Sequence, residues 1–181
     1  MRPIVVFLLL GFVGSCPFGQ GEGAEPVAFD RLTFHKAPKP LAKGAVTADW
    51  PRFLGPSDDA TSLEKPLLVK WPAGGPAPVW EVRKGEGYSS PAIVGDRLVM
   101  FHRLGGDEMA ECLHRETGKR FWTYKYPVDY RDRYGYSNGP RTSPVIEGGR
   151  VYLHGVTAWM SCLDLKTGKL IWKRDLAKDF G

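Results

Sequence analysis

Cys162-Leu-Asp-Leu-Lys-Thr-Gly-Lys-Leu-Ile-Trp172 is the second writing of a phrase that the chain first uses, 50 positions earlier, at Cys112-Leu-His-Arg-Glu-Thr-Gly-Lys-Arg-Phe-Trp122. Cysteine, leucine, Thr-Gly-Lys and the closing tryptophan keep their places in both copies. Upstream of each copy, Ser90, Pro91, Ile93, Gly95 and Arg97 return as Ser143, Pro144, Ile146, Gly148 and Arg150, 53 positions on. A unit of this length cannot bury its own apolar face. Its repetition points to neighbours that cover one another, as in a solenoid or a propeller.

Each unit reads as four short strands. In residues 88–125 these are 91–94, 97–102, 109–113 and 119–125, separated by turn residues. Gly95-Asp96 forms a two-residue hairpin turn, and Gly105-Gly106-Asp107 forms the next. Thr117-Gly118 closes the last turn, where glycine takes a positive φ at no steric cost. Residues 142–176 repeat the plan, with Gly148-Gly149 first and residues 164–168 last. The three-residue difference between the two offsets falls in the middle turn, where length is free to vary. Four antiparallel strands per unit make the blade of a β-propeller. The predicted fold is therefore all-β: an incomplete β-propeller of two full four-stranded antiparallel blades plus an N-terminal strand segment at residues 79–83.

The rest of the chain divides around these units. Arg2, the apolar stretch 4–13 and the small residues Gly14 and Ser15 before Cys16 read as a signal peptide over residues 1–23. Two processing routes remain open. Val13-Gly14-Ser15-Cys16 is close to a lipobox that would lipidate Cys16, and ordinary cleavage within residues 19–24 is the other. Both put the chain outside the cytoplasm, periplasmic or extracellular, and the first anchors it to a membrane. Residues 24–48 read as a leader or linker. Residues 49–87 carry Trp50, Phe53, Leu54, Trp71 and Trp80 among six prolines, an irregular wrap. The connection 126–141 is long for a compact domain and rich in Tyr, Arg and Asp. The 25 Lys and Arg against 20 Asp and Glu give a net charge of +5, but no basic run exceeds two residues. No nucleic-acid partner is expected.

The doubled phrase closely resembles the tryptophan-docking repeat of PQQ-like, quinoprotein-type β-propellers, whose usual form is Ala, Asp two residues later, Thr-Gly and a closing Trp. The second copy departs only at Cys162. The first also has His114 in place of the Asp. Residues 49–53 and 87–91 look like the opening of secreted bacterial members, so the resemblance covers residues 49–181. It implies a structural docking motif made of Cys112, Gly118, Trp122, Cys162, Gly168 and Trp172. A tryptophan on the outer strand lying across the next blade buries about 150–250 Å². On that expectation Trp172→Ala costs about 3–5 kcal/mol. The two cysteines, at equivalent places in neighbouring units, are too far apart for a bridge and read as small buried hydrophobes.

Enzymes of the family hold PQQ with calcium in the central funnel, and its alcohol dehydrogenases set adjacent cysteines and a catalytic Asp against the quinone. No adjacent Cys pair and no matching Asp motif occur here, so no catalytic, cofactor-binding or metal residue is carried over. His35, His102, His114 and His154 lack metal-ligand spacing. Other homologues are non-catalytic scaffolds, including the propeller lipoprotein of the outer-membrane assembly machine. The expected function is a secreted or lipid-anchored interaction scaffold with a protein partner and no cofactor. The alternative is the N-terminal part of a PQQ-dependent alcohol or sugar dehydrogenase, which would need PQQ and calcium. The candidate binding loop is Tyr130, Arg131, Arg133, Tyr134, Tyr136 and Arg141, with packing over the blade rim as its competing role. Propellers close with about 4–8 blades. Two blades therefore imply either a segment of a longer propeller or several copies joined in a ring.

Overall fold

The computed structural model describes residues 24–67 and 69–181. The expected signal peptide and the Cys16 lipidation site lie outside the described residues. In chain order the strands are β1 (Leu32–Phe34), β2 (Trp80–Val82), β3 (Ala92–Val94), β4 (Arg97–Leu104), β5 (Asp107–His114), β6 (Arg120–Pro127), β7 (Val145–Glu147), β8 (Arg150–His154), β9 (Trp159–Asp164) and β10 (Leu170–Asp175). A single-turn helix, α1 (Leu176–Phe180), follows, its first turn capped by the Asp175 carboxylate accepting the Lys178 amide at 3.1 Å.

The chain is all-β as predicted. β3-β4-β5-β6 form one antiparallel sheet and β7-β8-β9-β10 a second, each in sequence order, and β1 pairs with β2 in a third. The first two are the blades. Gly95, Gly148 and Gly149 all have positive φ, as tight hairpins between β3 and β4 and between β7 and β8 require. β4, β5 and β6 of the first blade run longer than expected, whereas β3 is one residue shorter. β4 and β5 stay in register from Arg97↔His114 to Leu104↔Asp107.

Both blades carry the same irregularity at the same place. The register between β5 and β6 shifts so that Cys112 faces Trp122 while Leu113 faces Arg120, leaving Phe121 extra. Between β9 and β10, Cys162 faces Trp172 and Leu163 faces Leu170, leaving Ile171 extra. A bulge of one residue turns the strand locally and re-aims the side chain that follows it. Here that side chain is the tryptophan.

The aim is visible in what each indole meets. Trp122 donates its Nε1–H to the Leu165 carbonyl at 2.9 Å and lies over the Gly168 turn, where a Cβ would stand 2.5 Å from the ring. Trp80 does the same one unit earlier, donating to the Arg115 carbonyl at 3.0 Å over Gly118. In both cases the acceptor lies three residues before the glycine. Any side chain at these glycines would push the indole away, and their φ values of +67° and +70° disfavour one on backbone grounds as well. Trp172 is different. It is 36% exposed, has Tyr152 beside it at 6.2 Å between ring centroids, and has no further sheet to lie across among the described residues. The core-like cost expected for Trp172→Ala therefore belongs to Trp122, which is 8% exposed.

Between the blades the core is continuous: Val99, Phe101, Ala110, Cys112 and Trp122 from the first meet Ile146, Val151, Leu153 and Leu163 from the second. Cys112 and Cys162 are free and fully buried. Burial pushes the Cys112 thiol up to about 12, which leaves it inert.

Residues read as leader are tied to the first blade. Val27 exchanges backbone hydrogen bonds with Arg120 on the outer edge of β6, and β1 pairs with β2 through Phe34↔Trp80. The proline-rich wrap runs along the opposite edge. Trp50 and Ile93 exchange backbone hydrogen bonds at 2.8 Å, and the Ile146 amide donates to the Pro51 carbonyl at 2.8 Å, so one stretch borders both β3 and β7.

Candidate functional site

The connection from β6 to β7 is built around one inward side chain. Asp132 is 7% exposed. One carboxylate oxygen accepts the Tyr136 amide at 2.8 Å, and the other accepts the Arg141 guanidinium at 2.8 Å and the Tyr130 hydroxyl at 3.4 Å. Its own amide donates to the Asn138 side chain at 2.9 Å. The Tyr136 amide above all, with Arg141 in support, holds the Asp132 carboxyl below the usual carboxylate range. Aspartate suits this place because its short carboxylate can close such a turn on its own backbone.

Two further residues clamp the loop to the blade. Arg103, near the end of β4, donates to the carbonyls of Tyr130 at 2.6 Å, Val128 at 3.1 Å and Asn138 at 3.2 Å. Glu86 accepts both the amide and the side-chain nitrogen of Asn138 at 3.0 Å. A planar guanidinium with five donors can tie three carbonyls at once.

The six candidate loop residues thus separate into two groups. Tyr130 and Arg141 turn inward to Asp132 and form part of the frame. Arg131, Arg133, Tyr134 and Tyr136 face solvent. The Arg133 guanidinium stands 5.4 Å from the Tyr134 ring centroid, and the Tyr134 and Tyr136 rings are 6.2 Å apart. Beside the loop, Arg141, Thr142, His154, Gly155 and Val156 line an open cleft of about 180 Å³.

Two buried carboxylates escaped the sequence reading. Glu111 on β5 is fully buried. It accepts Arg31 at 2.6 Å and His102 Nε2 at 3.0 Å on one oxygen, and Arg120 at 3.0 Å on the other. The Gly85 amide donates to His102 Nδ1 at 2.9 Å, which places the ring proton on Nε2 and makes the contact to Glu111 a hydrogen bond from a neutral imidazole. Burial alone would raise the Glu111 carboxyl. The hydrogen bonds from His102, Arg31 and Arg120 outweigh it and bring the group down to about 2. Glu108, also fully buried, accepts the Tyr126 hydroxyl at 2.7 Å and the Val156 amide at 3.0 Å, joining the first blade to the middle turn of the second. Burial foremost, then this contact, pushes the Tyr126 hydroxyl far up. Nearby, the Lys173 ammonium sits 4.1 Å from the Tyr126 ring and 4.0 Å from the Trp159 ring, a cation–π clamp between the blades.

A family model described as outer membrane protein assembly factor BamB matches residues 55–181. The chain belongs to this family. Among curated proteins, this BamB-family chain is 30% identical over 106 residues to the quinoprotein ethanol dehydrogenase of Pseudomonas aeruginosa. That match takes in 55% of the chain and spans 16% of the length of the relative. The PQQ-like repeat read from the doubled phrase and the all-β blade architecture agree with both.

The family resemblance implies calcium beside the quinone in the enzymes of this type. Calcium needs several free oxygen ligands. Both oxygens of Asp132, Glu108 and Glu111 are already taken by protein donors. Among the described residues no group of three His, Cys, Asp or Glu is placed to hold a metal ion. The described residues of this BamB-family chain therefore gather no set of free carboxylates for calcium.

Proposed function

We propose that this chain acts as an interaction scaffold, a PQQ-like propeller segment that presents the loop between its blades to a protein partner outside the cytoplasm. The observation that carries this reading is the division of labour within the loop. Asp132, Arg103 and Glu86 hold its backbone in place, while two arginines and two tyrosines project from it. A surface fixed before binding loses little conformational freedom on association. Placement outside the cytoplasm is supported by the signal-like residues 1–23 and by the family's description as an outer-membrane assembly factor. Attachment through Cys16 belongs to the same proposal.

The likeness to a quinoprotein ethanol dehydrogenase favours a second reading, in which the chain is part of a PQQ-dependent dehydrogenase. A photoreactive side chain placed at Tyr134, and in parallel at the exposed outer-strand residue Thr123, separates the two. The scaffold reading expects a discrete protein adduct from position 134 in an extract of the source organism, and none from position 123. Adducts of equal yield at both positions would remove it. Dye reduction by the purified protein with PQQ, calcium and ethanol would favour the dehydrogenase.

A further inference from the structure

Asp132 points inward, and the residues on either side of it point out. Arg131 and Arg133 are both exposed, and Tyr134 and Tyr136 are 71% and 74% exposed. Tyr88, at 60% exposure, extends the surface and donates its hydroxyl to the Tyr136 carbonyl at 3.2 Å. Within the loop Arg141 is the arginine paired with a carboxylate. Arg131 and Arg133 have no carboxylate partner among the described residues. Two solvent-facing guanidinium groups and three exposed aromatic rings give this surface two distinct chemistries. The forks match carboxylates in a bidentate manner, and the rings offer rigid apolar area at low entropic cost.

Resting on the scaffold reading, we propose that this strip recognises an acidic protein segment. Its carboxylates meet Arg131 and Arg133, and an apolar or aromatic side chain between them lies on Tyr134 and Tyr136. Charge complementarity makes the choice, since Asp129 is the exposed acid within the loop and the neighbouring Glu86 carboxylate is engaged by Asn138. The two guanidinium groups form a local pair and not a continuous basic track. That suits discrete carboxylates on a peptide better than the evenly charged backbone of a nucleic acid.

The test uses the full chain and fluorescence anisotropy with two labelled peptides, one of repeated Asp-Phe-Glu and one of repeated Asn-Phe-Gln, plus a labelled RNA oligomer. The acidic peptide is expected to bind at least tenfold more tightly than its amide twin, and added salt is expected to weaken it. The double variant Arg131→Gln, Arg133→Gln is expected to lose at least tenfold while its tryptophan fluorescence and melting stay those of the parent. Equal binding of the two peptides, full binding by the double variant, or tighter binding of the RNA overturns the proposal. Should the acidic peptide fail while position 134 still gives its discrete adduct, the acidic segment is removed and the scaffold remains. Failure of both removes the scaffold as well.

Discussion

At Glu111 the fold accepts a carboxylate on a strand whose neighbouring positions are Ala110, Cys112 and Leu113. Its burial is sustained by partners distant in sequence, Arg31 being 80 residues away and His102 nine. That separation explains why the residue looked unremarkable in the one-dimensional pattern, where only alternation and turn chemistry are visible. The network makes stability depend on acid in a definite direction. The carboxyl falls from an ordinary value of 4.5 to about 2 on folding, so its contribution is complete above about pH 4.5 and is lost as pH drops towards 2. Glu111→Gln is expected to lower stability at neutral pH by about 3–5 kcal/mol, because Arg31 and Arg120 lose their counter-charge in a buried setting. It is also expected to flatten the urea midpoint between pH 4.5 and 2, where the parent declines. A variant curve running parallel to the parent's would show that the cluster does not carry the acid response.

Elements differ in how much the sequence disclosed, and the difference is one of range. The eight blade strands announced themselves because Gly-centred turns are local signals and the doubled phrase repeats them. β1 did not, since Leu32–Phe34 is short, lies among polar and proline-rich residues, and is a strand only by virtue of pairing with β2. The loop from β6 to β7 was legible by composition, and its residues divide: Tyr130 and Arg141 turn to Asp132, while Arg131, Arg133, Tyr134 and Tyr136 are exposed. Which residues face inward is decided by Arg103 and Glu86, whose reach no spacing rule displays. Asp132 is the residue on which the loop's form depends. Asp132→Ala is expected to make the chain susceptible to trypsin at Arg131 and Arg133 while shifting the melting temperature only slightly. Cleavage no faster than in the parent would mean that the clamps at Arg103 and Glu86 hold the loop without it.

Across the described residues, neighbouring sheets stand side by side because β2 and β6 each send an indole onto the Thr-Gly turn of the following unit. The arrangement was readable from the doubled phrase, with one exception of position. The tryptophan that docks onto a described turn in each repeat is the one from the preceding unit, so Trp80 serves Gly118 and Trp122 serves Gly168. Nothing among the described residues occupies the corresponding place against Trp172, and Leu170 and Ile171 share its exposure. Two chemically identical truncations therefore separate docking from mere apolar content. Chemical denaturation of Trp122→Ala beside Trp172→Ala is the decisive comparison. The loss is expected to be about 3–5 kcal/mol at Trp122 and under about 1 kcal/mol at Trp172; equal losses, or a greater one at Trp172, would contradict the stacking of blades through Trp122.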